Sequence, residues 1–126
     1  MPEIKDSRGN LSFIESNKNI PFEIKRIYYI YEVPENQERA AHAHKELNQI
    51  IFCLSGTLEI VLDDGSNKKT IILDNPSEGL FMHPGIWRDI KFCKKSSLCM
   101  VVADQYYDEN DYIREYESFK NFLKIN

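Results

Sequence analysis

The chain lacks the features of a secreted, membrane-spanning or nucleic-acid-binding protein. It has only three cysteines in 126 residues, Cys53, Cys93 and Cys99. The number is odd and no two form a C-x-x-C pair, so neither a disulfide framework nor a zinc knuckle is indicated. Cys53 and Cys99 lie inside apolar runs, where a reduced cysteine behaves as a small hydrophobe. No apolar run approaches the ~20 residues of a membrane span. The N-terminus, Met1-Pro2-Glu3-Ile4-Lys5-Asp6, lacks the apolar stretch of a signal peptide. A cytoplasmic protein without a membrane partner is therefore expected. Basic residues are not in excess: 16 Lys and Arg face 20 Asp and Glu, for a net charge of −4. That argues against a nucleic-acid partner. Glycine and proline number five each, and they punctuate segments rather than form a linker. There is no repeat and no low-complexity tract.

What is present reads as one domain spanning 1–126. Ile24 to Val33 is rich in β-branched and aromatic residues and ends at Pro34, a strand signal. Asn48 to Leu54 and Thr57 to Leu62 read as strands meeting at Ser55-Gly56, and a second turn falls at Asp64-Gly65. Thr70 to Leu73, Gly79 to His83, Ile90 to Phe92 and Leu98 to Ala103 complete about seven short strands at regular spacing. That pattern means a β-sandwich or barrel. The tail changes period. Tyr112, Ile113, Tyr116, Phe119, Phe122 and Leu123 mark one face of a helix, expected over about Glu109 to Lys124.

The chemistry-bearing stretch is Arg39-Ala40-Ala41-His42-Ala43-His44. On an extended chain residues two apart share a face, so His42 and His44 point the same way. Four residues intervene before Gln49, and six more before Gly56. This spacing resembles the first cupin motif, G-x5-H-x-H-x(3,4)-E-x6-G. The cupin resemblance implies a jelly-roll β-sandwich, here all-β with a C-terminal helix. In cupins the two His and the Glu bind a metal with a third His near a later P-x-G. Here the Glu position is Gln49, a neutral amide, and beyond Pro84-Gly85 the late His is replaced by Arg88 or Asp89. An arginine cannot ligate. His83 precedes the proline. No metal and no other cofactor is expected. A neutral imidazole is instead the best available general base near pH 7, and its partner can serve as acid.

The resemblance narrows further. Asp6-Ser7-Arg8-Gly9, Pro21 through Tyr29, Arg39 through His44, Leu62 through Gly65, Gly79-Leu80, Trp87, Tyr106 through Glu109 and Asp111 through Arg114 are similar to nucleotide-sugar 3,4-ketoisomerases. These are small cupins acting on dTDP-4-keto-6-deoxyglucose. One departure concerns Ala40, which stands where the family pattern R-G-x-H-A-H has glycine. If that glycine needs a positive φ, the strand entry is strained here. The resemblance implies proton abstraction at C3 and reprotonation at C4. The product would be a 3-keto-6-deoxyhexose, with galacto favoured over gluco, on a route to 3-amino-3,6-dideoxy sugars. It implies His42 as base, His44 as the second proton-moving group and Tyr28 as a hydrogen-bond donor to the sugar. The diphosphate wants arginine. Arg39 and Arg26 are the first choices, with Arg88 at the same mouth and Arg8 a further one. Tyr29, Tyr31 and Trp87 are candidates to stack on thymine, Trp87 also as core or pocket floor. A homodimer is implied as well. The alternatives are a nucleotide-sugar epimerase, a metal-dependent cupin and a non-catalytic nucleotide-sugar binding module.

Overall fold

The structure is a computed structural model in which residues 1–125 are described. Eleven strands and one helix make up the described chain: β1 Glu3–Asp6, β2 Gly9–Ser12, β3 Arg26–Ile30, β4 Gln37–His44, β5 Gln49–Ser55, β6 Leu58–Asp63, β7 Lys68–Leu73, β8 Gly79–Met82, β9 Trp87–Phe92, β10 Leu98–Ala103, β11 Tyr112–Ile113 and α1 Tyr116–Ile125. They form a four-stranded sheet in the order β3-β10-β5-β8 and a five-stranded sheet in the order β11-β4-β9-β6-β7. β1 and β2 pair as a separate hairpin. All the strand pairings are antiparallel. This is the expected jelly-roll sandwich with a C-terminal helix.

Strand alternation decides what each face does. Ile51, Cys53, Leu58, Ile60, Ile90, Phe92, Cys99 and Val101 meet in the core between the two sheets. The neighbouring positions on β5 and β10, Ile50, Phe52 and Val102, bury against Ile20 and Phe22 of the N-terminal segment. Covered on both faces, β5 reads as a continuous apolar run rather than an alternating one. A third cluster holds Ala43, Trp87, Ile113 and Phe119 between the outer face of the five-stranded sheet and α1.

Two expectations change. Ser55-Gly56 does not close a hairpin, because β5 and β6 belong to different sheets and the turn carries the chain between them. Gly56 is required there: its φ is +80°, and a Cβ would stand 2.8 Å from Ser97 Cα. Asp64-Gly65 does close the β6–β7 hairpin. The helix starts at Tyr116 rather than near 109. Glu109–Asp111 form a single 3₁₀ turn capped by Asp108, and Tyr112 and Ile113 then pair with His44 and Ala43 of β4. Backbone spent on that pairing is unavailable to a helix. Finally, β4 carries a bulge. Arg39 faces Ile90 and His42 faces Arg88, so three steps on β4 match two on β9. Ala40 sits in this bulge at φ +65°.

Candidate active site

Past the bulge, β4 turns His42 and His44 inward and Ala43 outward, and all three are buried. The facing sheet supplies Gln49 from β5 and Tyr28 from β3, and β9 supplies Arg88. His42 Nε2 lies 3.1 Å from His44 Nε2. His44 Nδ1 lies 2.9 Å from Asp111 Oδ2. The other oxygen of Asp111 accepts the Glu46 backbone N–H at 2.7 Å. Tyr112 packs its ring on both imidazoles, with centroids 5.1 and 4.4 Å away.

Arg88 is 2% exposed and has no carboxylate partner among the described residues. Its Nη1 donates to Gln49 Oε1 in a very short contact and lies 3.5 Å from His42 Nε2, while its Nε has no partner among them. Because arginine only donates, Gln49 must turn its oxygen to Arg88. Its amide nitrogen then donates to the Tyr28 hydroxyl at 3.2 Å, which leaves the phenolic proton free for another acceptor. A glutamate at 49 would neutralise Arg88. Glutamine keeps a buried cation uncompensated, a costly arrangement that suits a site where negative charge develops.

Electrostatics follow from this packing. Burial, then Arg88, then His44 push the His42 pKa down to about 2. Burial, Arg88 and Arg26 push His44 down to about 3. Both rings are therefore neutral at pH 7 and can accept protons. Burial lowers Arg88 to about 10, so it stays a cation. Burial raises Tyr28, which stays a phenol.

Arg26 shares the inward face of β3 with Tyr28. Its guanidinium carbon stands 5.1 Å from the Tyr28 ring and 5.5 Å from Tyr107. Its buried Nε and Nη2 have no partner among the described residues. The structure thus gathers His42, His44, Tyr28, Arg26 and Arg88 at one end of the sandwich. It places the other sequence candidates elsewhere. Trp87 neighbours Arg88 but points to the opposite face, against Tyr116 and Phe119 under the helix. Tyr29 likewise points away from Tyr28; it is 62% exposed and lies beside Tyr31. Arg39 precedes the bulge and stands near Tyr31 and Pro34. Arg8 sits on the hairpin, its Nη2 paired with Asp6 at 2.8 Å. His83 is exposed and contacts the Pro84 carbonyl.

A cupin metal does not fit this donor set. Arg88 lies against His42 and Gln49, two of the motif's three ligand positions. The third, His44, has both nitrogens engaged, one by Asp111 and one by His42.

A family model described as WxcM-like, C-terminal (FdtA) matches residues 1–124. The TDP-4-oxo-6-deoxy-α-D-glucose-3,4-oxoisomerase of Aneurinibacillus thermoaerophilus is 47% identical over 125 residues, covering 98% of this chain and 90% of that protein.

The chain belongs to the sugar-nucleotide 3,4-ketoisomerase family.

Two solved ketoisomerases share the fold nearly end to end. QdtA of Thermoanaerobacterium thermosaccharolyticum, in complex with TDP, is 40% identical with a TM-score of 0.95, covering 98% of this chain and 90% of its own. A 3,4-ketoisomerase from Helicobacter canadensis is 45% identical with a TM-score of 0.94, covering 98% and 92%. A His-to-Asn variant of QdtA holds TDP-4-keto-6-deoxyglucose. Membership makes the chain an isomerase. It also agrees with the resemblance read from Arg39 through His44 and the Tyr106–Arg114 stretch. Sequence reasoning alone misses two residues of this cluster. Gln49 reads there only as a lost ligand, and Asp111 is given no role of its own. The available signal for Asp111 is its place in the Asp-Tyr-Ile-Arg stretch of the family resemblance.

Proposed function

We propose that this ketoisomerase moves the ketone of TDP-4-keto-6-deoxyglucose, the thymidine nucleotide sugar, from C4 to C3. The observation that carries the reading is a neutral, buried His42 beside an uncompensated cation, Arg88, whose Gln49 partner also holds the Tyr28 phenol. The proton on C3 is α to the carbonyl and is the acidic one. His42 removes it; the C3–H electrons form the C3=C4 double bond, and the C4 oxygen takes the negative charge. Arg88 and the Tyr28 hydroxyl stabilise that enediolate. The C4 oxygen then takes a proton, the C3 hydroxyl loses one, C3 becomes the ketone and C4 is protonated. Atoms and electrons balance within the sugar, so the reaction is redox-neutral. Arg26 is the proposed partner of the diphosphate, a reading supported by its two buried donors without a partner among the described residues.

The product is a 3-keto-6-deoxyhexose, galacto being the expected configuration, suited to a following amination. A homodimer completes the proposal. β3 is an edge strand of its sheet, and Ile27, Tyr29 and Tyr31 stand 52%, 62% and 58% exposed along it. A second copy would cover that stripe. No helix among the described residues is long and apolar enough to cross a membrane.

Incubation with TDP-4-keto-6-deoxyglucose in D₂O, followed by proton NMR, tests the activity. The expected product carries its carbonyl at C3 and deuterium at C4. Exchange at C3 or C5 without any migration of the ketone would instead indicate an epimerase. Binding without turnover would indicate a nucleotide-sugar binding module.

A further inference from the structure

Gln49 is 0% exposed and opens β5 on the inward face of the four-stranded sheet. Across that sheet it is in register with Ala103 of β10, whose other neighbour is Arg26; Tyr28 is in register with Val101, one inward row along. Ala103 ends at a methyl group, and the Gln49 amide reaches past it to the Tyr28 hydroxyl at 3.2 Å. The carboxamide oxygen accepts from Arg88 Nη1 of the opposite sheet. One buried side chain therefore holds both of the groups assigned to the enediolate.

The orientation of this amide is forced. Arg88 Nη1 carries only protons and no acceptor. It donates to Gln49 Oε1 and also lies 3.5 Å from His42 Nε2. A flipped amide would set N–H against N–H at Arg88, so the oxygen stays there whichever ring nitrogen of His42 holds its proton. The amide nitrogen then faces Tyr28, and it only donates. The phenol oxygen must accept from it, and the phenolic proton must point elsewhere. The other groups around Tyr28 are Arg26 of its own strand, 5.1 Å from the ring, Cys99 of β10, Arg88 of β9 and Tyr112 of β11. Among the described residues, Gln49 alone is hydrogen-bonded to the hydroxyl. Burial raises the Tyr28 pKa, and the Gln49 hydrogen bond and the Arg88 charge each pull it back down.

We infer that Gln49 is a positioning residue for the ketone shift: its amide turns the Tyr28 proton toward the sugar and leaves Arg88 a full cation for the enediolate. This inference rests on the ketoisomerase reading of the site. As the C3–H electrons enter the C3=C4 bond, charge gathers on the C4 oxygen, and the Tyr28 O–H and Arg88 meet it. The phenol oxygen gains negative charge as it donates, and the Gln49 N–H stabilises that charge from behind. Gln49 acts only through these two groups. A carboxylate of the same size would do the reverse on both sides. It accepts and never donates, so it would cancel the charge of Arg88 and draw the phenolic proton to itself.

Gln49→Glu therefore discriminates. It should lower kcat by at least ~100-fold, the scale of one lost oxyanion donor. Gln49→Met removes the amide without adding charge and should cost less, about tenfold, the scale of one hydrogen bond. TDP affinity should stay close to that of the wild type for Gln49→Met, whereas a side chain that merely held the fold together would lose binding and turnover alike. Combining Gln49→Met with Tyr28→Phe should cost less than the product of the two single losses, since both act through one hydroxyl.

Side-chain amide NMR on glutamine-labelled protein gives a signature independent of turnover. The chain has three glutamines, Gln37, Gln49 and Gln105, and only Gln49 is buried. Tyr28→Phe deletes one hydroxyl; it should move a Gln49 amide proton upfield and leave the Gln37 and Gln105 signals in place. A Gln49 amide unmoved by Tyr28→Phe, or a Gln49→Glu enzyme with wild-type kcat, overturns the inference. If the Gln49 variants fail to fold, the Tyr28→Phe spectrum still decides. A wild-type chain that does not move the ketone overturns the proposed function instead, and the amide spectrum remains a separate test of the Gln49–Tyr28 contact.

Discussion

Ala40 holds a left-handed backbone at the entry to the site. At φ +65° an L-residue with a Cβ is strained by about 1–2 kcal/mol. The bulge that needs this conformation is what turns the two histidines inward. Ala40→Gly relieves the strain, and the added freedom of the unfolded chain returns part of it, about 0.4–1 kcal/mol. The net gain should be a few tenths to about 1 kcal/mol, seen as a Tm higher by a few degrees with activity retained. A lower Tm would mean that the bulge is not strained. At this scale the sequence is legible where spacing is local. His42 and His44, two apart on a strand, are bound to share a face. It is not legible where the face itself is in question. Tyr28 and Tyr29, or Trp87 and Arg88, are adjacent in sequence, and nothing local says which of each pair looks inward. Arg39 looks close to the histidines because it is three residues from His42, but it lies on the other side of the bulge, exposed and near Tyr31 and Pro34.

At the scale of elements, α1 stands on one aromatic anchor. Phe119 is fully buried, with ring centroids 5.8 Å from both Trp87 and Tyr116. The helix spans only ten residues, too few to be stable alone, so its order depends on this packing. Phe119→Ala should cost about 3–5 kcal/mol, read as a lower urea midpoint with an unchanged slope. A loss under about 1 kcal/mol would show that the helix is not held there. The existence of the helix is legible from the period of Tyr116, Phe119, Phe122 and Leu123. Its start is not, because Tyr112 and Ile113 carry the same apolar period yet are claimed by β4 through long-range pairing. Long-range pairing likewise hides the split of β5 and β6 between two sheets.

At the scale of the whole molecule, two buried neutral histidines couple the fold to pH. Their folded pKa values lie at about 2 and about 3, against 6.5 unfolded. Below pH 6.5 the unfolded chain therefore binds more protons than the folded one, and stability falls as pH falls. Between pH 6.5 and about 5, above the ordinary carboxylate range, this loss belongs to histidine. The urea midpoint should drop over that window, and a His42→Asn/His44→Asn double variant should drop less; equal slopes would contradict the burial argument. The exposed Ile27-Tyr29-Tyr31 edge makes a second whole-molecule claim. Sedimentation should give about twice the 14.8 kDa of one chain, and Tyr29→Glu should shift it to the monomer. A wild-type mass of a single chain would leave the stripe unexplained. The central claim is that His42 takes the proton from C3, and solvent exchange tests it most directly. With TDP-4-keto-6-deoxyglucose in D₂O, His42→Asn should lose both ketone migration and deuterium uptake at C3 of the recovered substrate by about 10²–10⁴-fold while still binding TDP. Deuterium entering C3 at near the wild-type rate in that variant would contradict the assignment.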